Sequence, residues 1–192
     1  ALMQGLISRQ DTHPAALRML DAEGGRLRNI EAVRWVNGDT ELLALFREMG
    51  NGETATIVLP AARHVYDLRN RKYLGETARF ETAIIPARAT FFALCERPVQ
   101  PPTVVIDPAT GERGQVATAT IAVRGAEGLY AFKLTGSAAG TEMDWLEQVV
   151  ITGSEPVQVP IPVAYNDPTG EYRITARELF SNQEFAATLR VR

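Results

Sequence analysis

The carboxylates and aromatics carry what chemistry this sequence has to offer. Asp67, Glu76 and Glu81 fall within one strand-rich stretch, and Asp144 and Glu147 flank Trp145. Two carboxyl groups facing each other across a cleft could do acid–base work on a glycosidic bond. Nothing in the spacing sets any two of these at a defined separation, so they read as solvated strand and loop positions. The two histidines, His13 and His64, are far apart and lack metal-ligand partners. Ser8, Ser137, Ser154 and Ser181 lack the G-x-S-x-G setting of a hydrolase elbow. Gly24-Gly25 and the run Gly136 to Gly140 do not form a phosphate-cradling loop opening a helix. The single cysteine, Cys95, closes an apolar run and reads as a small buried hydrophobe. One cysteine excludes an intrachain disulfide framework and a thiolate zinc site. No catalytic residue, metal ligand or cofactor is therefore assigned.

Aromatic side chains are the more informative class, because an exposed ring is a flat apolar platform on which a sugar can stack. Trp35, Tyr66, Tyr73, Trp145, Tyr165 and Tyr172 are the candidates. Trp145 follows the polar segment Thr141-Glu142-Met143-Asp144 and is the one expected to be partly exposed. Trp145 and Tyr73 are assigned as the carbohydrate-binding residues, with a core or inter-domain role as the competing reading.

The elements that would position them are strands. His64 to Leu94 reads as a β-meander, with Phe80, Thr82 and Ile84 on one face of a strand and Arg79, Glu81 and Ala83 on the other. Gly75 is read as a strand end. Ile30 to Val36 and Thr40 to Arg47 read as a hairpin turning through Asn37-Gly38, since both residues tolerate positive φ. Glu53 to Leu59 reads as a strand ended by Pro60, which cannot donate to a central ladder. Met3 to Ser8 and Ala15 to Leu20 read as further strands, with Gln10 to Pro14 as loop. The first half thus holds about eight strands.

Pro98, Pro101 and Pro102 make Glu96 to Pro102 a stiff connection. Beyond it, about seven short strands with turns every ten residues or so follow the pattern of an immunoglobulin-like sandwich. Among them, Gly136 to Gly140 reads as a loop and Trp145 to Ile151 as a strand. The expected fold is all-β: two β-sandwich domains in tandem, residues 1–97 and 98–192, the second immunoglobulin-like.

Composition bounds the partners. Twenty Lys and Arg against 23 Asp and Glu give a net charge of −3, which leaves no footprint for nucleic acid. No apolar run approaches the roughly 18–20 residues of a membrane helix, so no membrane insertion is expected. A start at Ala1, without an initiator Met or a basic-then-apolar leader, reads as a processed protein or a piece of a longer chain, the second being the expectation. The compartment stays open, with the periplasm or cell exterior ahead of the cytosol.

Val33-Arg34-Trp35, Asn37-Gly38-Asp39 and Leu42-Leu43 begin a longer pattern. It continues in Val65-Tyr66-Asp67-Leu68-Arg69, Tyr73-Leu74-Gly75, Ile85-Pro86-Ala87-Arg88-Ala89 and Phe91-Phe92-Ala93-Leu94. From Val33 to Leu94 the chain resembles the region that follows the catalytic barrel in large bacterial glycosidase-like proteins related to the (β/α)8-barrel β-galactosidases. Gly128 to Phe132 and Asn166 to Tyr172 resemble an immunoglobulin-like or macroglobulin-like module appended there. The resemblance implies a non-catalytic accessory region whose partner is an upstream catalytic domain of the same polypeptide, or another protein. The family's catalytic carboxylates would lie on barrel strands that this chain lacks. A carbohydrate-binding module and an independent surface adhesion protein remain the other readings, with a stand-alone enzyme last.

Overall fold

A computed structural model describes residues 17–138 and 140–192. The Met3 to Ser8 strand, the Gln10 to Pro14 loop, His13 and the start of the Ala15 to Leu20 strand lie outside the described residues. The chain is all-β, and its strands fall into two compact units. Unit 1 comprises Ala1–Val36 and Glu41–Arg97; unit 2 comprises Asn37–Thr40 and Pro98–Arg192.

Unit 1 contains β1 (Arg18–Leu20), β2 (Glu31–Asn37), β3 (Thr40–Phe46), β4 (Glu53–Asp67), β5 (Lys72–Ile84) and β6 (Thr90–Cys95), except that Asn37 at the end of β2 and Thr40 at the start of β3 fall to unit 2. They form one sheet in the order β1-β4-β6-β3-β2, with β5 also paired to β4. Leu43, Leu45, Ile57, Val65, Phe80, Phe92 and Leu94 share one buried cluster, with the Phe80 and Phe92 rings 4.9 Å apart. The alternation of β5 holds: Phe80 and Ile84 are buried, whereas Arg79, Glu81 and Ala83 are exposed.

Two local expectations fail for one reason. Pro60 does not end a strand, and neither does Gly75. Both lie inside long strands, at places where the register shifts. Leu59, Pro60, Ala61 and Ala62 of β4 face Ala78 alone on β5, so Pro60 sits in a bulge, where its missing N–H costs no ladder bond. Leu74 is the extra residue on β5, and Gly75 beside it has φ +100°. Each bulge merges two expected strands into one, leaving six among the described residues.

The hairpin turn is also displaced by one residue. Asn37 is the last residue of β2, and Gly38 (φ +61°) and Asp39 make the turn. Positive φ at the first central position alone is the type II′ pattern.

Unit 2 begins with β7 (Pro102–Asp107), β8 (Thr110–Gly111), β9 (Val116–Val123), β10 (Tyr130–Ala138) and β11 (Thr141–Glu142). A 3₁₀ turn over Asp144–Leu146 precedes β12 (Gln148–Thr152), β13 (Val157–Pro162), β14 (Gly170–Glu178) and β15 (Glu184–Val191). One sheet runs β11-β10-β14-β15-β8, with β12 also on β10; the other runs β13-β9-β7. Ala117, Ala119 and Ile121 of one sheet and Phe132, Leu134, Ile174 and Leu189 of the other are buried. Tyr172 is buried too, and its hydroxyl donates to the Pro168 carbonyl at 2.8 Å, pinning the loop that enters β14. Gly136 belongs to β10 rather than to a loop, and Trp145 to the 3₁₀ turn rather than to a strand.

Candidate functional site

Trp145 is presented by the short turn between β11 and β12. The Met143 N–H donates to the Gly136 carbonyl (2.8 Å), and the Leu146 N–H to the Met143 carbonyl (2.9 Å). Leu146 is buried directly over Gly136, where a Cβ would lie 2.4 Å from Leu146 Cδ2. Glycine at 136 therefore lets the turn close onto the sheet. With Leu146 anchored inward, Trp145 is left 49% exposed.

Beside this turn is a concavity of about 410 Å³, lined mainly by Lys133, Ser137, Asp144, Glu147, Arg173 and Thr175. Its floor is set by register: Ser137 pairs with Arg173 and Thr135 with Thr175. The Lys133 ammonium lies 2.6 Å from the Glu147 carboxylate. Hydroxyls, carboxylates and cations at these positions can hydrogen-bond neighbouring hydroxyls of a sugar. Trp145 stands next to this groove rather than in its wall.

Tyr73 is 48% exposed on β5. Its hydroxyl is hydrogen-bonded to His64 Nδ1 at 2.7 Å, and its ring lies 4.9 Å from that of Tyr66, tilted by 32°. The His64 ring also lies 6.1 Å from it at an interplanar angle of 17°, so the ring is engaged by two neighbours. Tyr73 lies in unit 1 and Trp145 in unit 2, so neither unit holds both.

The remaining candidates separate by burial. Tyr66 and Tyr172 are core residues. Tyr165 is highly exposed, its ring lying over Gly114, where a Cβ would come within 2.5 Å of Cζ. Trp35 is half exposed on β2. Glu76 and Glu81 are exposed. Asp67 is buried, and its carboxylate accepts from the Arg69 N–H (3.1 Å), the Asn70 N–H (3.0 Å) and Asn70 Nδ2 (2.7 Å). It closes the β4–β5 loop, in which Arg71 has φ +54°. Cys95 is buried and is not in a disulfide among the described residues. Among the described residues no group of three His, Cys, Asp or Glu could hold a metal ion, and no helix is long and apolar enough to cross a membrane.

Besides Asp67, which reads as solvated in the sequence but is buried because its carboxylate caps the loop, two buried charges escaped the sequence reading. Arg47 is 5% exposed on the strand side of the β3–β4 loop. Its Nη1 donates to the Asn51 carbonyl (2.9 Å) and pairs with Glu53, and its Nη2 donates to the Arg28 carbonyl (3.1 Å). Glu178, fully buried at the end of β14, accepts from the Phe180 N–H (2.8 Å), the Ser181 N–H (2.5 Å) and the Ser181 hydroxyl (2.7 Å). Burial pushes its carboxyl above the ordinary range, against the lowering effect of those hydrogen bonds. Charged residues read as surface by default, and nothing local in the sequence marks these two as buried.

No protein-family model matches the chain, and no curated protein matches it. Among solved structures it is similar to a polysaccharide lyase at 13% identity and a TM-score of 0.35. That match covers 91% of this chain and 28% of the lyase, a likeness too slight to bear on activity.

Proposed function

We propose that this chain is a non-catalytic accessory region of a larger bacterial glycoside hydrolase-related protein, packing on or helping to assemble its catalytic core. The observation that supports this is β2. It ends the unit 1 sheet, pairing only with β3 among the described residues, and its side chains from Glu31 to Val36 are exposed on both faces. Val33, Trp35 and Val36 make that strand apolar, a surface that a self-sufficient domain ordinarily covers or charges. The occupant is the upstream catalytic domain of the same polypeptide, as the resemblance over Val33 to Leu94 implies. Unit 2 is an immunoglobulin-like spacer on this reading, which its strand order and the Tyr172–Pro168 corner support.

Hydrogen exchange tests the docking. The β2 amides exchange fast in this chain alone and slowly in the intact protein isolated from its source. Equal exchange in the two would contradict the proposal.

A second reading, a carbohydrate-binding module, is favoured by the half-exposed Trp145 beside a polar groove. Its test is affinity electrophoresis through gels containing soluble polysaccharides. Retardation that Trp145→Ala abolishes would support it; unretarded migration in every gel would dismiss it.

A further inference from the structure

The concavity beside Trp145 opens onto a longer feature of the same sheet face. On β10 the buried Phe132 and Leu134 alternate with Lys133, Thr135 and Ser137. On β14 the buried Ile174 and Ala176 alternate with Arg173, Thr175 and Arg177. Cross-strand pairs share a face, so the register sorts the outward residues of β10, β14 and β15 into rows that cross the strands. One row is Lys133, Arg177 and Glu184; the next is Thr135, Thr175 and Ala186; the third is Ser137, Arg173 and Thr188.

The middle row has no side chain larger than threonine. The long side chains stand in the rows beside it, Lys133, Arg177 and Glu184 on one side and Arg173 on the other. Same-face residues on a strand are about 7 Å apart, so the two flanking rows are separated by about 14 Å. The short middle row is therefore the floor of a trough that runs across the strands rather than along them. At its β10 end, Thr135 and Thr175 line the concavity beside the Trp145 turn. At its other end, Ala186 and Thr188 are exposed. Among the described residues β15 has only β14 beside it there, since β8 pairs with it at Arg190 and Val191.

Charge selects the class of glycan. In the concavity Lys133 and Arg173 are outnumbered by Glu142, Asp144 and Glu147, and Lys133 is already paired with Glu147. Arg177 and Glu184 offset each other as cross-strand neighbours. No surplus cation is left for an acidic sugar, whereas the hydroxyls of Thr135, Ser137, Thr175 and Thr188 both donate and accept.

We propose that unit 2 binds an extended neutral oligosaccharide, with one sugar against Trp145 and the chain continuing across β10, β14 and β15 over Thr135, Thr175 and Ala186. The inference rests on the carbohydrate-binding reading of Trp145 and adds to it the length, direction and charge of the ligand.

Calorimetric titration of the whole chain tests it. The probes are the disaccharides and hexasaccharides of the cello-, xylo- and manno- series, with hexagalacturonate as the acidic comparison. At least one neutral hexasaccharide should bind about tenfold tighter than its disaccharide, equivalent to about 1.4 kcal/mol. Ala186→Ile fills the far end of the trough, and a β-branched residue suits an exposed strand position. That variant should keep the disaccharide affinity and lose the gain with length, at an unchanged urea midpoint. Trp145→Ala should weaken both ligands. Equal affinity for disaccharide and hexasaccharide, or an Ala186→Ile variant that binds like the parent, would overturn the inference and leave the Trp145 reading standing. Tighter binding of hexagalacturonate than of every neutral hexasaccharide would overturn it as well. No binding by any probe would dismiss the Trp145 reading and this inference with it.

Discussion

Val33 and Trp35 stand two residues apart on β2, so both side chains leave the strand on the same side, and they are 45% and 49% exposed. On the opposite side Arg34 forks onto Glu41 of β3, its Nη2 donating to Oε2 at 2.6 Å. That carboxylate raises the Arg34 pKa above its ordinary value. The strand is thus fixed to the sheet by one side while its apolar side is left over. That combination suits docking better than core building.

Trp35→Ala should therefore leave folding nearly intact, costing no more than about 1 kcal/mol. Phe92→Ala, which empties a fully buried position, should cost about 3–5 kcal/mol. Urea denaturation of the two variants measures the contrast. Equal losses would mean that Trp35 belongs to the core.

Tyr172→Phe removes the hydroxyl that reaches the Pro168 carbonyl. Pro168 is exposed, so water can replace the donor, and the expected loss is at the lower end of about 0.5–1.5 kcal/mol. The midpoint of chemical denaturation reports it, with an unchanged slope.

Glu178 makes stability depend on pH. Its folded pKa is raised, so the native state holds this proton to a higher pH than the unfolded chain does. The contribution is complete below the unfolded carboxylate value and is lost as pH rises through the folded one. Glu178→Gln should remove that slope, so the variant gains on the parent protein between acid and neutral pH. Denaturation at a series of pH values checks this; a constant difference between the two proteins would contradict it.

Gly136→Ala places a methyl against Leu146 Cδ2, with Ile174 Cδ1 3.4 Å away, and both of these side chains are buried. Overpacking of this kind costs about 1–3 kcal/mol. The strain would lift the 3₁₀ turn, and Trp145 with it, so the tryptophan fluorescence should shift to the red in the folded protein.

The strands were legible wherever one face is buried and the other is not. The alternation at Phe80 and Ile84, and again at Tyr130, Phe132 and Leu134, reads directly as core positions. Pro60 and Gly75 misled because a bulge is defined by the partner strand's register, which no local window contains. Asn37-Gly38 gave the hairpin but not the turn's frame, because Gly38 alone supplies the positive φ. At the candidate site, the polar segment before Trp145 foretold an exposed ring. The groove beside it depends on β10–β14 pairing, and the burial of Arg47 on a loop that folds over it. Neither relationship exists until the chain is folded.

The central claim, an accessory region within a larger protein, is tested most directly by the size of the native polypeptide. An antibody raised against this chain would be used to immunoblot the source cells under denaturing conditions. The account predicts a band well above 21.0 kDa, the mass of these 192 residues. A sole band near 21.0 kDa would contradict it.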